Sequence, residues 1–340
     1  MKAAVVPHHG TLEVREVSDP VPGPYDCLVD IDACATCAGT DTAIIEGYFP
    51  FLEETPYVLG HESTGRIVDV GEKVKNFQLG QRLTRPAGIL PGERRDGIGS
   101  NWGGFAELGL VRDVAAAEAD GMECRPMLAQ SRRPLPDEVD PISGALSINQ
   151  REILSVALKL GVKRSSRVVV IGSGYNGLLF ALYAAHLGAG RVVLVGSEGR
   201  SDLAVEDFEA TAFVDYRRED ATERAAEAVG GQPTHVIDAV GTGSSVRMAQ
   251  ELVGPRTAFG CYGMKEFEEI QPVVGELTES HPELDMGADE VSATDRWYEL
   301  WQEDFFDREG MCDGTMPLSR VEEAYERLAR REAVKLVICC

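Results

Sequence analysis

Gly172-Ser173-Gly174-Tyr175-Asn176-Gly177 follows the apolar run Val168–Ile171 and opens a second apolar run, Leu178–Leu187. Glycines at that spacing, between a strand and a helix, suit a pyrophosphate. Gly172 permits a tight turn, Gly174 lets a phosphate approach the backbone, and Gly177 lets helix and strand pack closely. Tyr175 and Asn176 begin the helix, whose free N–H groups and dipole favour an anion. After the next strand, Arg191–Val195, a dinucleotide site ordinarily carries an acid for the ribose 2′-hydroxyl. Here that place is Gly196, followed by Ser197, Glu198, Gly199 and Arg200. A small residue leaves room for a 2′-phosphate, which Ser197 and Arg200 can bind. Glu198, two residues late, suits the 2′-hydroxyl instead. The expectation is NADP, with NAD as the alternative.

The elements around this loop alternate. Arg151–Leu160 carries a helical apolar stripe. Arg167–Ile171, Arg191–Val195, Phe213–Asp215, His235–Ala239 and Thr257–Cys261 read as buried strands with helices between them. That pattern predicts a parallel sheet covered on both faces, an α/β domain. The first half reads differently. Lys2–Val6, Thr11–Val17, Cys27–Ala33 and Gly65–Val70 are short strands broken by Pro and Gly, and 77–83 is a turn into another. No long helical period precedes residue 150. Near the end, Ser319–Arg331 reads as an amphipathic helix with Ser319 as N-cap and Glu322 completing a near capping box. Lys335–Ile338 is a last strand.

The chain has 340 residues, enough for about two domains. Hydrophobic residues make up 44% and charged residues 26%, which excludes collagen-like and disordered classes. Lys+Arg number 33 against 56 Asp+Glu, a net charge of −23. A field of that sign repels nucleic acid and anionic membrane. Arginine far outnumbers lysine. An acidic, lysine-poor surface suits a high-salt interior, and the same bias follows from a GC-rich gene in an ordinary soluble protein. The stretch 265–310 holds much of the acid and reads as a solvated face. No apolar signal core follows Met1, and no run is long enough to span a membrane. The eight cysteines are too scattered for a disulfide framework. The expectation is a cytoplasmic protein with reduced thiols.

Three further segments belong together: Cys34-Ala35-Thr36-Cys37-Ala38-Gly39-Thr40-Asp41, then Gly60-His61-Glu62, then Val70-Gly71 with Leu79-Gly80-Gln81-Arg82-Leu83. With Trp102-Gly103-Gly104-Phe105-Ala106-Glu107, the glycine loop and Ile237-Asp238-Ala239-Val240-Gly241, their order resembles the medium-chain dehydrogenase/reductase family over nearly the whole chain. The resemblance implies a GroES-like, β-rich catalytic domain over 1–148, a Rossmann domain over 149–289 and a return to the first domain over 290–340. It implies a zinc-dependent alcohol, polyol or sugar dehydrogenase, commonly a homodimer or homotetramer, acting on a small alcohol or its carbonyl partner. Val240 falls among the residues that border the cofactor.

The resemblance places zinc ligands at Cys37 and His61, a thiolate and an imidazole that suit Zn²⁺. It makes Thr40 the hydroxyl that relays the substrate proton and Asp41 the partner that orients His61. One residue more than the family spacing separates Cys37 from Thr40, so this loop must bulge; Cys34 is the alternative ligand. The family's third ligand falls on Ser147 or Ile148, neither a good zinc donor. Glu62 and Glu152 are the carboxylates at hand. Residues 85–115 contain no cysteine, so one catalytic zinc and no structural zinc is expected. Tyr48, Phe49, Phe51 and Trp102 are candidates to line the substrate pocket. The rival readings are a zinc-free NADPH-dependent reductase of quinones or enones from the same superfamily, and a non-catalytic NADP-binding protein.

Overall fold

A computed structural model describes residues 1–50, 54–100, 102–125 and 133–340. It divides into two compact units, Met1–Ile148 with Cys312–Cys340, and Asn149–Met311. Among the described residues no helix is long and apolar enough to cross a membrane.

The first unit is built on antiparallel strands. Asp26–Ala35 is the central one, pairing with Glu62–Val70 on one side and with Leu108–Arg112 and Val337–Cys339 along its length. Its register with Glu62–Val70 sets Ala35 opposite Glu62 and Cys34 opposite Ser63. The end of one strand and the start of the other therefore share one edge of the sheet. A second sheet joins Glu13–Glu16, Lys2–Val6, Tyr57–Val58 and Gly99–Ser100. Ala4, Val6, Ile44, Tyr57, Leu59 and Phe105 pack with Val321, Ala324 and Leu328 of the late helix Val321–Ala329 into one core.

The second unit is a five-stranded parallel sheet. Its order is Ala212–Asp215, Arg191–Gly196, Arg167–Ile171, His235–Asp238, Ala258–Cys261. Strand order reverses between Arg167–Ile171 and His235–Asp238, the point where doubly wound sheets hold ligands. Val168, Val169 and Val170 are completely buried, as strands covered on both faces must be. The chain is thus mixed α/β.

Several expectations are corrected. The helix foreseen at 151–160 is Pro141–Ala157. Its start is set by Asp140, whose side chain accepts from the Ile142 and Ser143 N–H groups, with Pro141 at the first helical position. Short helices Thr40–Glu46 and Val114–Ala119 also lie in the strand-rich half, too short for a period to show. Ser319 is not an N-cap. Leu318–Arg320 forms a 3₁₀ turn first, and the helix starts at Val321 without a side-chain cap. Burial of both Leu318 and Val321, three residues apart, suits that tighter turn.

The acidic stretch is solvated on one side only. Helix Phe267–Ser280 buries Ile270 and Leu277 in the core of the parallel sheet. Helix Thr294–Gln302 buries Trp297, whose Nε1–H donates to Gln150 Oε1 at 2.8 Å. Residues through Met311 accordingly lie in the second unit, whereas the sequence expectation began the return at 290.

Candidate functional site

Two groups of residues can carry chemistry, one in each unit. In the first unit, strand Asp26–Ala35 runs into Thr36, whose hydroxyl donates to the Leu336 carbonyl at 3.1 Å. Cys37 follows, and Ala38-Gly39 turn the chain. The Asp41 N–H returns to the Cys37 carbonyl at 3.1 Å and the Thr40 N–H donates to Cys37 Sγ at 3.4 Å. The additional residue before Thr40 is absorbed by this turn, which wraps the sulfur and sets Thr40 and Asp41 on the first turn of Thr40–Glu46.

Gly60 precedes His61 with φ +99, and a Cβ there would lie 2.6 Å from the Phe105 N. Only glycine brings the chain past Phe105 to His61. His61 Nδ1 lies 2.9 Å from Asp41 Oδ1. With Asp41 as acceptor Nδ1 carries a proton, and Nε2 on the opposite edge is the nitrogen a metal would take in place of its proton. Cys37, His61 and Glu62 each offer an atom within 4.8 Å of the others. Sulfur, nitrogen and oxygen donors at that spacing suit Zn²⁺. The Trp102 ring lies 5.3 Å from His61 and 6.1 Å from Phe49. Tyr48 is exposed, and Phe51 lies outside the described residues.

Charge in this group is concentrated. Burial works against a protonated His61, but the charge and hydrogen bond of Asp41, with Cys37 beside it, hold its pKa well above the ordinary range. Glu62 is 0% exposed and Lys335 2%. Lys335 Nζ donates to both Glu62 oxygens, at 2.7 and 2.6 Å. Burial disfavours that ammonium too, yet Glu62 and then Cys37 raise its pKa above the usual lysine value. Glu152 stands on Pro141–Ala157 in the second unit and is not in the three-donor group. Ser147 turns its hydroxyl to the Gly144 carbonyl at 2.7 Å.

The sequence reading missed Lys335 and Tyr325. Lys335 had a signal: a lone lysine inside Val334-Lys335-Leu336-Val337-Ile338, in a chain that rarely uses lysine. An ammonium in a buried strand needs an anionic partner. Tyr325 had none, since its hydroxyl reaches Asp41 Oδ2 across a sequence separation of 284.

In the second unit, Gly172 leaves its strand at φ +115. A Cβ on Gly177 would lie 1.9 Å from the Gly172 carbonyl oxygen, whereas one on Gly174 would meet nothing within 4 Å. The open side of the loop is therefore at Gly174, next to the first turn of Tyr175–His186. Gly177→Ala is expected to lower stability by about 1–3 kcal/mol through overpacking, and Gly174→Ala to leave it within about 0.5 kcal/mol. Urea unfolding of the cofactor-free protein checks both.

Gly196 has a different reason from the one its size suggested. A Cβ there would lie 2.3 Å from the Ser173 side chain, so Ser173 fills that space. The Ser173 hydroxyl in turn accepts from the Ser197 N–H at 3.0 Å. Arg200 ends the 3₁₀ turn Glu198–Arg200. Gly196 pairs with Asp215, and the Tyr216 N–H donates to the Gly196 carbonyl at 3.0 Å. Tyr216 and Arg217 thus adjoin the 197–200 segment, with Arg217 held by Asp215 and its pKa raised by Asp215 and, more weakly, by Glu198. Val240 borders the loop from just beyond the strand His235–Asp238: a Cβ on Gly172 would lie 2.7 Å from its Cγ2. Asp238 shapes that segment by accepting from the N–H groups of Val240 and Gly241, while burial pushes its carboxyl up.

Known proteins resemble the chain in both halves. Residues 23–120 match the alcohol dehydrogenase GroES-like domain and residues 177–303 the zinc-binding dehydrogenase family. A sorbitol dehydrogenase of Bombyx mori is 28% identical over 71% of each chain. An NADP-dependent isopropanol dehydrogenase of Thermoanaerobacter brockii is 31% identical over 59% of this chain and 58% of its own. A Sinorhizobium meliloti protein solved bound to NADP is 26% identical, covers 100% of this chain and 99% of its own, and superposes with a TM-score of 0.77.

Proposed function

Because the chain belongs to the medium-chain dehydrogenase/reductase family, we propose that it is a zinc-dependent oxidoreductase moving a hydride between an alcohol, favoured as a polyol or sugar, and NADP. The observation that carries this reading is the buried convergence of Cys37, His61 and Glu62 within 4.8 Å. A zinc ion held by these three would act as a Lewis acid on a substrate oxygen. Glu62 takes the place left by the poor donors Ser147 and Ile148, and Glu152 is not required.

The protein's own groups do the rest. Asp41 keeps the His61 proton on Nδ1. The turn at Ala38-Gly39 presents Cys37 with its sulfur already accepting one N–H. Thr40, on the first turn of its helix, is the residue to pass the substrate's proton outward through Oγ1. The Gly172–Gly177 loop and the helix start at Tyr175 cradle the pyrophosphate, so an acidic protein meets an anion with backbone donors.

Ser197, Arg200 and the neighbouring Arg217 support a 2′-phosphate, against Glu198. Arg200→Ala is expected to lower kcat/KM with NADP⁺ about tenfold relative to NAD⁺, the loss of one charge-assisted hydrogen bond. An equal loss with both cofactors would remove Arg200 from 2′-phosphate recognition. The zinc-free reductase reading has one observation in its favour: Glu62 is already paired by Lys335. Element analysis of protein purified without chelator, combined with turnover on a polyol and sugar panel, separates the two. One zinc per chain, lost together with activity on chelation, is expected. Full activity without zinc would overturn the proposal.

A further inference from the structure

We propose that Tyr325 is a positioning residue of the metal group, its hydroxyl holding Asp41 and, through Asp41, both the His61 ring and the Cys37 loop. The proposal rests on the reading of Cys37, His61 and Glu62 as zinc ligands. Asp41 is 0% exposed and accepts three hydrogen bonds. Oδ1 faces His61 Nδ1 at 2.9 Å, and Oδ2 receives the Cys37 N–H at 2.9 Å together with the Tyr325 hydroxyl. One carboxylate therefore ties the two donor-bearing segments to each other. Tyr325 ties that carboxylate to a third segment, the late helix.

The helix is a firm support. Val321, Ala324 and Leu328 bury in the core that also holds Ile44, Tyr57 and Phe105. The Tyr325 ring packs edge-on against Phe105, with centroids 6.3 Å apart at 83°. The ring is partly buried against that core, and this packing aims its hydroxyl at Asp41. Burial, reinforced by Asp41, raises the phenol well above its usual pKa, and the O–H remains a donor. Without it, Oδ2 keeps only the Cys37 N–H, and the carboxylate gains freedom to swing away from His61. Outer hydrogen-bond partners of a ligating histidine fix the ring for the metal.

Tyr325→Phe keeps the ring and removes the donor. Tyr57→Phe is the control, since it deletes another buried hydroxyl of the same core, one that donates to the Ile44 carbonyl at 2.8 Å. Zinc affinity is measured by competition with a chromophoric chelator, and the visible spectrum of the Co²⁺-substituted protein reports the donor geometry. Tyr325→Phe is expected to bind zinc about tenfold more weakly, at the low end for outer partners, with a shifted Co²⁺ band. Tyr57→Phe is expected to match the parent in both. Unchanged affinity and spectrum in Tyr325→Phe would overturn the proposal, as would equal losses in both variants. A parent protein that binds no zinc would overturn the proposed function first, and this inference with it.

Discussion

Cys37→Ala is expected to lose zinc and NADP-linked turnover together, with kcat/KM falling by at least about a thousandfold. A Lewis acid supplies several kcal/mol of transition-state stabilisation, and each 1.4 kcal/mol corresponds to about tenfold. The fold should survive. Cys37 lies two residues past a strand, and its sulfur accepts a long hydrogen bond from the Thr40 N–H and faces the His61 ring. Alanine there leaves the turn's Asp41-to-Cys37 backbone bond intact. The decisive measurement pairs element analysis with steady-state kinetics, and an unchanged thermal midpoint of the zinc-free protein serves as the fold control. A variant that turns over at the parent rate would remove Cys37 from the chemistry.

Lys335→Met should have the largest effect on stability. Glu62 and Lys335 are both buried, and the ammonium is the charge that satisfies both carboxylate oxygens. Removing one partner of a buried pair costs about 3–5 kcal/mol, and the low end is expected here because His61 Nε2 still lies 3.6 Å from Glu62 Oε1. The zinc-free variant is therefore expected to unfold at markedly lower urea. Replacing both residues, as Lys335→Met with Glu62→Gln, should recover much of that loss, because neither position then carries a buried charge without its partner. Zinc should narrow the gap between Lys335→Met and the parent, since a cation bound by Glu62 restores positive charge beside it. Additive single-variant losses, with no recovery in the double variant, would show that the pair is not coupled.

The glycine loop and its strand were fully legible, because backbone geometry demands glycine there whatever surrounds it. Gly172 needs a positive φ, and Gly177 must pass against the Gly172 carbonyl. The strands of the parallel sheet were legible for a similar local reason: residues buried on both faces form unbroken apolar runs. Element starts fared worse. At Asp140-Pro141 the cap was written in the residues, but the apolar period visible at 151–160 drew attention to the wrong end of the helix. At Ser319 the local cap pattern lost to tertiary burial of Leu318 and Val321.

Of the proposed metal group, the sequence named Cys37 and His61, left the carboxylate open between Glu62 and Glu152 with Cys34 as an alternative thiol, and supplied the turn that carries Thr40 and Asp41. Which atoms converge depends on the folded strands. The strand register that sets Ala35 opposite Glu62 brings the Cys37 loop to His61. The chain's return from Cys312 brings Tyr325 to Asp41 and Lys335 to Glu62. Those contacts join residues nearly 300 positions apart, and no spacing rule spans such a distance. Local chemistry constrains a residue through its immediate neighbours. A buried charge is constrained by whichever opposite charge the fold delivers, and the register of the sheet delivers it.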